Sequence, residues 1–322
     1  MQENRRIGLV LAGGGAKGAY QLGVWQALRK ANLEQLITDV SGTSVGALNA
    51  CMFAMGNIEN CKDVWQTIQR KDVLPFTKED SERLVQQLFS DFPEFKIKKG
   101  FQKTLLRFLS AKLASGIFPR EKMREIIENH ITDPVLPYQK VQAYATCFSC
   151  TEMKSKSFLL NRLPKQEAEA ILLASSALPL LFSVENIGNE QFLDGGITDN
   201  IPVKILYDTG VRDFIVVHLS RKTAVDRRSF PQARFVEIIP QETLGNFFKG
   251  TLNFDRGTIQ QHIDQGEKEA LDIFSTAVSL DKLFETNKNS SGFVTDSELK
   301  ERLRLKMLRP LKTYAFQNKD GI

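Results

Sequence analysis

The sequence contains few of the residues and segments that mark specialised classes of protein. Its 322 residues include four cysteines, three histidines and two tryptophans. The most apolar stretch, residues 170–184, is interrupted by Ser175, Ser176 and Pro179, whereas a helix that crosses a bilayer needs about 20 apolar residues. The apolar residues 7–12 are likewise too few for a secretory signal, so we expect the cysteines to be reduced thiols.

The cysteines and histidines do not form the pattern of a metal site. Cys147 and Cys150 make a C-x-x-C pair, but no second pair or neighbouring histidine supplies the other ligands of a structural zinc ion. We therefore expect this pair to be structural. The sequence also lacks a Gly-Lys-Ser/Thr ending, which excludes the usual phosphate-binding P-loop.

The net charge is moderate and positive, at +5, with an isoelectric point near 8.9. A dedicated nucleic-acid-binding protein concentrates its basic residues more strongly, so nucleic acid is not an expected partner. The surplus fits a weak attraction to anionic surfaces such as phospholipid headgroups. We expect a cytoplasmic protein that also makes peripheral contact with an anionic membrane.

The order of elements predicts an α/β fold. Two successive strand–turn–helix units indicate a mostly parallel sheet with helices packed on it. The first unit has a strand at 7–12, a turn at 13–18 and a helix at 19–30, and the second has a weak strand at 36–40, a turn at 41–46 and a helix at 45–55. Further strands are predicted at 141–150, 157–160, 214–219 and 235–240, and a further helix at 253–274.

Residues 56–137 have few strand signals, and we predict that they form a helical insertion. Its phenylalanines are Phe89, Phe92, Phe95, Phe101, Phe108 and Phe118, and they lie among Lys96, Lys98, Lys99, Lys103 and Lys112. This pattern fits a helix packed on the core, a lid over an apolar pocket or a segment lying on an anionic bilayer. Residues 287–292 are a linker candidate, and residues 296–311 are predicted to form a C-terminal amphipathic helix.

Residues 42–46, Gly-Thr-Ser-Val-Gly, fit the G-x-S-x-G pattern of a nucleophile turn. A serine at a sharp strand-to-helix turn presents its hydroxyl from a strained backbone, and the flanking glycines let other backbone pass close by. The N-terminus of the following helix favours developing negative charge. The alternative is an ordinary tight turn in which Ser44 caps a helix.

Residues 13–18, Gly-Gly-Gly-Ala-Lys-Gly, have two interpretations. Successive glycines let backbone N–H groups converge on one point, as an oxyanion hole requires, and Lys17 would add positive charge. The same residues fit the G-x-G-x-x-G spacing of a dinucleotide site, with Asp39 in range as the acid that binds the ribose. Taken alone, the residues favour neither interpretation.

The base that would activate Ser44 also has more than one candidate. The Asp-Gly-Gly at 194–196 places an acid in a loop that other backbone can approach, although Asp-Gly is also a common turn. A Ser–Asp–His order would instead use His218 or His262. Both have ordinary explanations, since His218 ends a strand and His262 lies in a polar helix that favours exposure. His130 ends a charged helix, where a cation is favourable.

The segments 13–18, 42–46 and 194–196, in this order, resemble the motifs of the patatin-like phospholipase family. The likeness extends to Ala174-Ser175-Ser176-Ala177-Leu178-Pro179 before the acid and to Asp199-Asn200-Ile201-Pro202 after it. The family loop often begins with Asp where this chain has Ala12. Because that position is not one of the two catalytic positions of the family, we expect little effect on the chemistry.

The resemblance implies a three-layer α/β/α fold and a Ser–Asp dyad that needs no histidine, metal or cofactor. It makes Ser44 the nucleophile and Asp194 the general base, with Gly13, Gly14 and Gly15 as the oxyanion hole. Supporting residues would be Lys17, Gly18, Gly42, Gly46, Gly195 and Gly196. The expected division is a catalytic domain at 1–205 that includes the insertion, the rest of the α/β core at 206–286, and a linker with a helical extension at 287–322.

The implied activity is hydrolysis of acyl esters of phospholipids or other lipids through an acyl-enzyme, with a lipid as the partner molecule. Two alternatives remain at this point. The same dyad could transfer the acyl group to an alcohol, as in an acyltransferase, or the glycine loop could bind a nucleotide without hydrolysis. The preferred lipid and the oligomeric state are not predicted.

Overall fold

The strands of the described residues form one mostly parallel sheet. The structure, a computed structural model, describes residues 5–73, 83, 118–130, 139–179, 181–275 and 283–284. The strands of these residues are β1 (Ile7–Leu11), β2 (Ile37–Thr43), β3 (Gln142–Ser149), β4 (Lys154–Leu159), β5 (Glu185–Ile187), β6 (Glu190–Asp194), β7 (Asp213–Val217) and β8 (Arg234–Ile238). Their α-helices are α1 (Ala19–Lys30), α2 (Val45–Ala54), α3 (Ile58–Thr67), α4 (Arg70–Val73), α5 (Glu121–His130), α6 (Lys165–Ser175), α7 (Val203–Asp208) and α8 (Arg256–Ser275).

The parallel part of the sheet has the order β3-β2-β1-β7-β8, and the antiparallel strands β4, β5 and β6 extend it around β3. Strand β1 lies at the centre, and all of Ile7–Leu11 is buried. This continuous burial is typical of a parallel strand that is covered on both faces. The predicted α/β class and the mostly parallel sheet are confirmed.

Alternation along β1 separates the two faces of the sheet. Leu9 and Leu11 join a large hydrophobic core that includes residues of α1, α2 and α8. Val10 points to the opposite face and joins a smaller core with Leu206 of α7 and Phe214 of β7. Helices therefore cover both faces, and the larger layer of the described residues lies on the side of α1, α2 and α8.

Two strands meet end to end along one edge of β3. Strand β2 ends with Thr43 paired to Thr146, and β6 ends with Asp194 paired to the next residue of β3, Cys147. Strand β4 occupies the other edge of β3 over the same residues, so β2 and β6 share an edge and converge with their C-terminal ends. Ser44, which follows β2, is thereby brought next to the acid.

The structure differs from the predicted elements where local sequence signals are weak. Asp194 ends strand β6 rather than lying in a loop, because pairing with β3 orders a five-residue segment of mixed polarity. Strand β2 continues past the predicted end at residue 40 because its last residues pair with β1 and β3. The buried Ser41 and Thr43 hydroxyls donate to main-chain carbonyls of the segment 199–202. Helix α6 was also not predicted.

The described parts of the predicted insertion, residues 56–137, are largely helical and comprise α3, α4 and α5. Phe118 is buried and packs on Phe182 with ring centroids 6.3 Å apart, so this phenylalanine belongs to the core. The phenylalanines at 89, 92, 95, 101 and 108, the lysines at 96, 98, 99, 103 and 112, the linker at 287–292 and the helix at 296–311 lie outside the described residues. No helix within the described ranges is long and apolar enough to cross a bilayer.

Candidate active site

Ser44 occupies the turn between β2 and α2 in a strained backbone conformation. Its φ is 57° and its ψ is −129°, a combination that favours glycine and is uncommon for a residue with a Cβ. Such a conformation persists only where the surrounding structure fixes it, and it clusters at active sites. The turn is thus the strained strand-to-helix connection that the G-x-S-x-G pattern predicts.

Close backbone packing explains the two glycines of this turn. A Cβ on Gly42 would lie 2.0 Å from the carbonyl oxygen of Gly46, and a Cβ on Gly46 would lie 2.2 Å from the carbonyl oxygen of Leu11. Any side chain at either position would push α2 away from the sheet. The pattern therefore has a steric cause that is independent of chemistry.

Asp194 is a buried carboxylate with an incomplete set of partners. Its Oδ1 accepts from the Gly196 N–H at 2.7 Å, while Oδ2 is buried without a conventional hydrogen bond among the described residues. Burial raises the pKa of Asp194 to about 6, against the lowering effects of the Ser44 hydroxyl, the Gly196 amide and the Arg120 charge. The Ser44 hydroxyl thus interacts with this carboxylate although the pair falls short of ordinary hydrogen-bond geometry.

The glycine loop packs directly against Ser44. A Cβ on Gly13 would lie 3.1 Å from the Cβ of Ser44. The Gly13 N–H donates to the Asn200 carbonyl at 3.2 Å, and Asn200 Nδ2 donates back to the Gly13 carbonyl at 3.2 Å. No hydrogen bond of the described residues uses the N–H of Gly14 or Gly15. These two amides are therefore the available donors of the loop.

A buried amide network, which sequence reasoning missed, holds both ends of the glycine loop. Gln21 Nε2 donates to the Ala12 carbonyl at 2.7 Å, and Asn49 Nδ2 donates to the Gly18 carbonyl at 3.0 Å. Asn49 Nδ2 also contacts Gln21 Oε1 at 2.8 Å and its Oδ1 accepts from Trp65 Nε1 at 3.1 Å. The sequence signals this network through Asn49, a polar residue within the apolar helix α2. A polar side chain buried at such a position needs a hydrogen-bond partner.

The turn Phe247–Thr251 covers the glycine loop. A Cβ on Gly15, whose φ is +57°, would lie 2.3 Å from the carbonyl oxygen of Thr251. A Cβ on Gly250 would lie 2.6 Å from Cε of Lys17, so the aliphatic stem of Lys17 lies along this turn. Burial lowers the pKa of Lys17. Lys17 therefore helps to pack the loop as well as bringing charge to it.

Arg120 is a buried cation near Asp194 that sequence reasoning also missed. Its guanidinium donates to the Leu173 carbonyl at 2.7 Å, to Ser176 Oγ at 2.8 Å and to Glu185 at 3.3 Å. Burial lowers the pKa of Arg120 to about 10, and the charges of Glu185 and Asp194 oppose that change. In return, the positive charge favours the ionised form of Asp194.

Ser44 and Gly15 line an apolar cavity together with residues of α2, α3 and α5. Its lining includes Val45, Leu48, Met52, Trp65, Ile127, Phe182, Leu252 and Phe254. Aliphatic and aromatic walls suit an alkyl chain better than a sugar or a charged group. The site therefore combines a strained serine, a buried carboxylate and two available amides beside an apolar cavity.

No hydrogen bond joins Ser44 to a histidine within the residues that the structure describes. His218 is buried, and its ring nitrogens contact Thr223 Oγ1 at 3.1 Å and Glu237 Oε2 at 3.0 Å. His262 is also buried, in contrast to the expected exposure, because α8 packs along α1. It lies beside the Ala16 carbonyl of the glycine loop, and burial lowers its pKa.

The structure places Asp39, the acid of the dinucleotide interpretation, away from the glycine loop. Asp39 is buried in the first half of β2, paired in register with Gly8 and so at the far end of the strands from the glycine loop. It accepts from Arg6 Nε at 3.1 Å and from Thr38 Oγ1 at 2.6 Å. Its oxygens are thus engaged with protein groups at a distance from the place where a bound pyrophosphate would lie.

We expect the variants His218→Gln and His262→Gln to hydrolyse a chromogenic acyl ester within about threefold of the wild-type rate, whereas loss of a general base costs about 10²-fold or more. Glutamine can still form hydrogen bonds but cannot act as a base, so it separates packing from proton transfer. Initial rates measured beside melting curves provide the check. A loss of about 10²-fold in either folded variant would restore the Ser–Asp–His interpretation.

Comparison with known proteins identifies a matching family and several similar chains. The sequence profile described as "Patatin-like phospholipase" matches residues 9–207. An uncharacterised NTE family protein of Mycobacterium bovis is 27% identical over 199 residues, which cover 62% of this chain and 44% of that protein. A lysophospholipase NTE1 of Cryptococcus neoformans is 26% identical over 217 residues, which cover 66% of this chain and 11% of that protein. The chain therefore spans less than half the length of these relatives.

Among solved structures, VipD from Legionella pneumophila superimposes with a TM-score of 0.50 and 15% sequence identity, covering 85% of this chain and 67% of that one. At this identity the likeness concerns the fold alone.

Proposed function

This chain belongs to the patatin-like phospholipase family, whose profile covers more than half of it, and from that premise we propose that it is a lipid acyl ester hydrolase. Ser44 is the nucleophile and Asp194 is the general base. One observation carries the proposal: β2 and β6 meet end to end and bring a strained serine next to a buried carboxylate. The apolar cavity whose lining includes Ser44 supports a lipid substrate.

In the first step Asp194 accepts the proton of Ser44 Oγ as that oxygen attacks the ester carbonyl carbon. The carbonyl oxygen becomes an oxyanion, which the N–H groups of Gly14 and Gly15 stabilise. The bond to the leaving alcohol then breaks, and the alcohol takes the proton from Asp194. The acyl group remains on Ser44 as an ester.

In the second step Asp194 takes a proton from a water molecule that attacks the acyl carbonyl carbon, and the same two amides stabilise the second oxyanion. The bond to Ser44 Oγ breaks, and Oγ recovers a proton from Asp194. The carboxylic acid leaves, and both residues return to their starting states.

The environment of Asp194 explains how a carboxylate can serve as this base. A carboxylate with the ordinary pKa of 3.8 holds a proton too weakly to help a hydroxyl react, and burial raises the pKa of Asp194 to about 6. Arg120 and the Gly196 amide limit that rise. Both effects together leave the carboxylate ionised near neutral pH while making it a stronger base.

We expect kcat/KM to be half-maximal near the pKa of Asp194, at about 6, and to increase with pH up to a plateau. The sign follows because the ionised carboxylate is the active form and is lost as the pH falls through that pKa. Rates with a soluble short-chain ester, measured between about pH 4 and pH 9, provide the check. A profile that falls over this range as pH rises would contradict the assignment of the base.

The substrate class is tested with a panel of acyl esters that vary in chain length and headgroup. We propose that rates increase with acyl-chain length, because the cavity at Ser44 is lined by apolar side chains. A folded wild-type protein that hydrolyses no ester in the panel would contradict the proposed function. A thermal shift with NAD or ATP would then favour the nucleotide-binding alternative.

We further propose contact with anionic phospholipid, supported by the net charge of +5.

The division of the chain into a catalytic domain that ends at residue 205 and a following part of the core also stays a proposal. Strands β7 and β8, which follow that position, continue the same sheet through the pairing of β7 with β1.

A further inference from the structure

The C-terminal end of α6 contacts both members of the proposed dyad. The Ser44 N–H donates to Ser175 Oγ at 2.9 Å, and the Asp194 N–H donates to the Ala177 carbonyl at 2.9 Å. Ser175 is the last residue of α6 and is fully buried. One short turn of small residues thus holds the main chain at both reacting positions.

The Ser175 hydroxyl acts as a bridge. It donates to the Thr146 carbonyl at 2.7 Å while it accepts from the Ser44 N–H. Thr146 immediately precedes Cys147, the register partner of Asp194 on β3. The bridge therefore ties the strained turn to the point of β3 where β2 and β6 converge.

The backbone conformation of Ser44 depends on hydrogen bonds of this kind. A positive φ at a residue other than glycine is retained only where neighbouring contacts fix it. Without the Ser175 hydroxyl, the Ser44 N–H and the Thr146 carbonyl would each lose a buried hydrogen-bond partner. The turn could then relax, and relaxation would move Ser44 Oγ relative to Asp194.

We propose that Ser175 is a positioning residue that holds Ser44 in register with Asp194. The proposal rests on the proposed function, and Ser175 acts through the main chain of Ser44 rather than on the substrate. The titratable and charged groups that face Asp194 are Arg120 and the Cys147 thiol. Ser175 reaches the carboxylate by way of the nucleophile and also through the Cys147 thiol, whose pKa it lowers.

Ser175→Ala should lower kcat by about 10- to 100-fold, as expected for a small misplacement of a reacting group, and leave KM within about twofold. Labelling of Ser44 by a fluorophosphonate should slow by the same factor. Because the Ser44 hydroxyl lowers the pKa of Asp194, its displacement should also move the midpoint of the pH–rate profile upward. A loss of stability alone would not move that midpoint.

Ser149→Ala is the matched control. Ser149 is also buried, accepts from the Glu152 N–H at 3.1 Å and donates to Glu190 at 3.0 Å, but it does not contact the turn at Ser44. The Ser149→Ala variant should have the kcat and the pH midpoint of the wild type, whatever its effect on the melting temperature. Ser175→Cys, whose thiol is close in size but a poor acceptor, should change kcat and the midpoint in the same direction as Ser175→Ala.

The proposal is overturned if folded Ser175→Ala and Ser175→Cys both match the wild type in kcat, labelling rate and pH midpoint. If Ser175→Ala does not fold, the cysteine variant decides by the same criteria. A wild-type protein that neither hydrolyses esters nor labels at Ser44 contradicts the proposed function instead. The two failures are therefore distinguishable.

Discussion

Replacing Ser44 with alanine should abolish ester hydrolysis, with a loss in kcat/KM of about 10⁴-fold or more. Without Oγ no acyl-enzyme forms, and only the residual effect of the loop amides and of substrate binding remains. Initial rates with the best ester of the panel, corrected for the non-enzymatic reaction, measure the loss. A variant that keeps more than about a tenth of the wild-type rate would show that another group is the nucleophile.

Replacing Ser44 with glycine should abolish activity equally but should give a more stable protein than the alanine variant. The main chain at this position has a φ of 57° and a ψ of −129°, a region that costs a residue with a Cβ about 1–3 kcal/mol and that glycine adopts freely. Alanine retains the strain. Melting curves of the two inactive variants isolate the strain from the chemistry, and equal melting temperatures would indicate an unstrained turn.

Replacing Asp194 with asparagine should lower kcat by about 10³-fold or more, because the amide cannot accept the proton of Ser44. The substitution is close in shape, and the asparagine Oδ1 can still accept from the Gly196 N–H that now donates at 2.7 Å. The loss is therefore expected without a large change in structure. Circular dichroism measured beside the rates checks the fold.

The same variant should be more stable than the wild type near neutral pH. The Asp194 carboxyl has a pKa of about 6 in the folded protein and 3.8 ordinarily, so the folded state binds more protons between these values. Stability consequently falls as pH rises through that interval, and the loss is complete above it. A shift of this size corresponds to about 3 kcal/mol, which asparagine avoids.

Melting temperatures of wild type and Asp194→Asn should therefore nearly coincide at about pH 4 and diverge in favour of the variant at about pH 8. Asp213→Asn is the contrasting control, because this buried carboxylate accepts from Arg5 and from Arg234 at 2.6 Å. Its loss should destabilise the protein. An Asp194→Asn variant less stable than the wild type at the higher pH would contradict the penalty assigned to the buried charge.

The parts of the fold that the sequence predicts are those with strong local patterns. The helix predicted at 19–30 has apolar residues at helical spacing, and the structure places it at Ala19–Lys30. The strand predicted at 7–12 is a continuous apolar run, and the structure places it at Ile7–Leu11. Strand β6 has no such pattern, because its five residues depend on pairing with β3. Long-range pairing of this kind is not encoded in local spacing.

For the candidate site, the sequence predicts the proposed reacting residues but not the groups that hold them. Ser44 and Asp194 lie in short motifs whose glycines are required by close packing. Such motifs can be recognised in the sequence because their residues are neighbours along the chain. Ser175 and Arg120 act through contacts between distant segments. His262 was expected to be exposed because its sequence neighbours are polar, and only the packing of α8 on α1 shows that it is buried.

The most direct test of the Ser–Asp dyad is the rate at which a fluorophosphonate labels Ser44, with the adduct located by peptide mass spectrometry. Three proteins are compared: wild type, Asp194→Asn and the double variant His218→Gln/His262→Gln. We predict labelling at Ser44 in the wild type and at a similar rate in the double variant, and labelling at least about 10²-fold slower in Asp194→Asn. Labelling of another residue, or loss of labelling in the folded double variant with Asp194→Asn unaffected, would contradict the dyad.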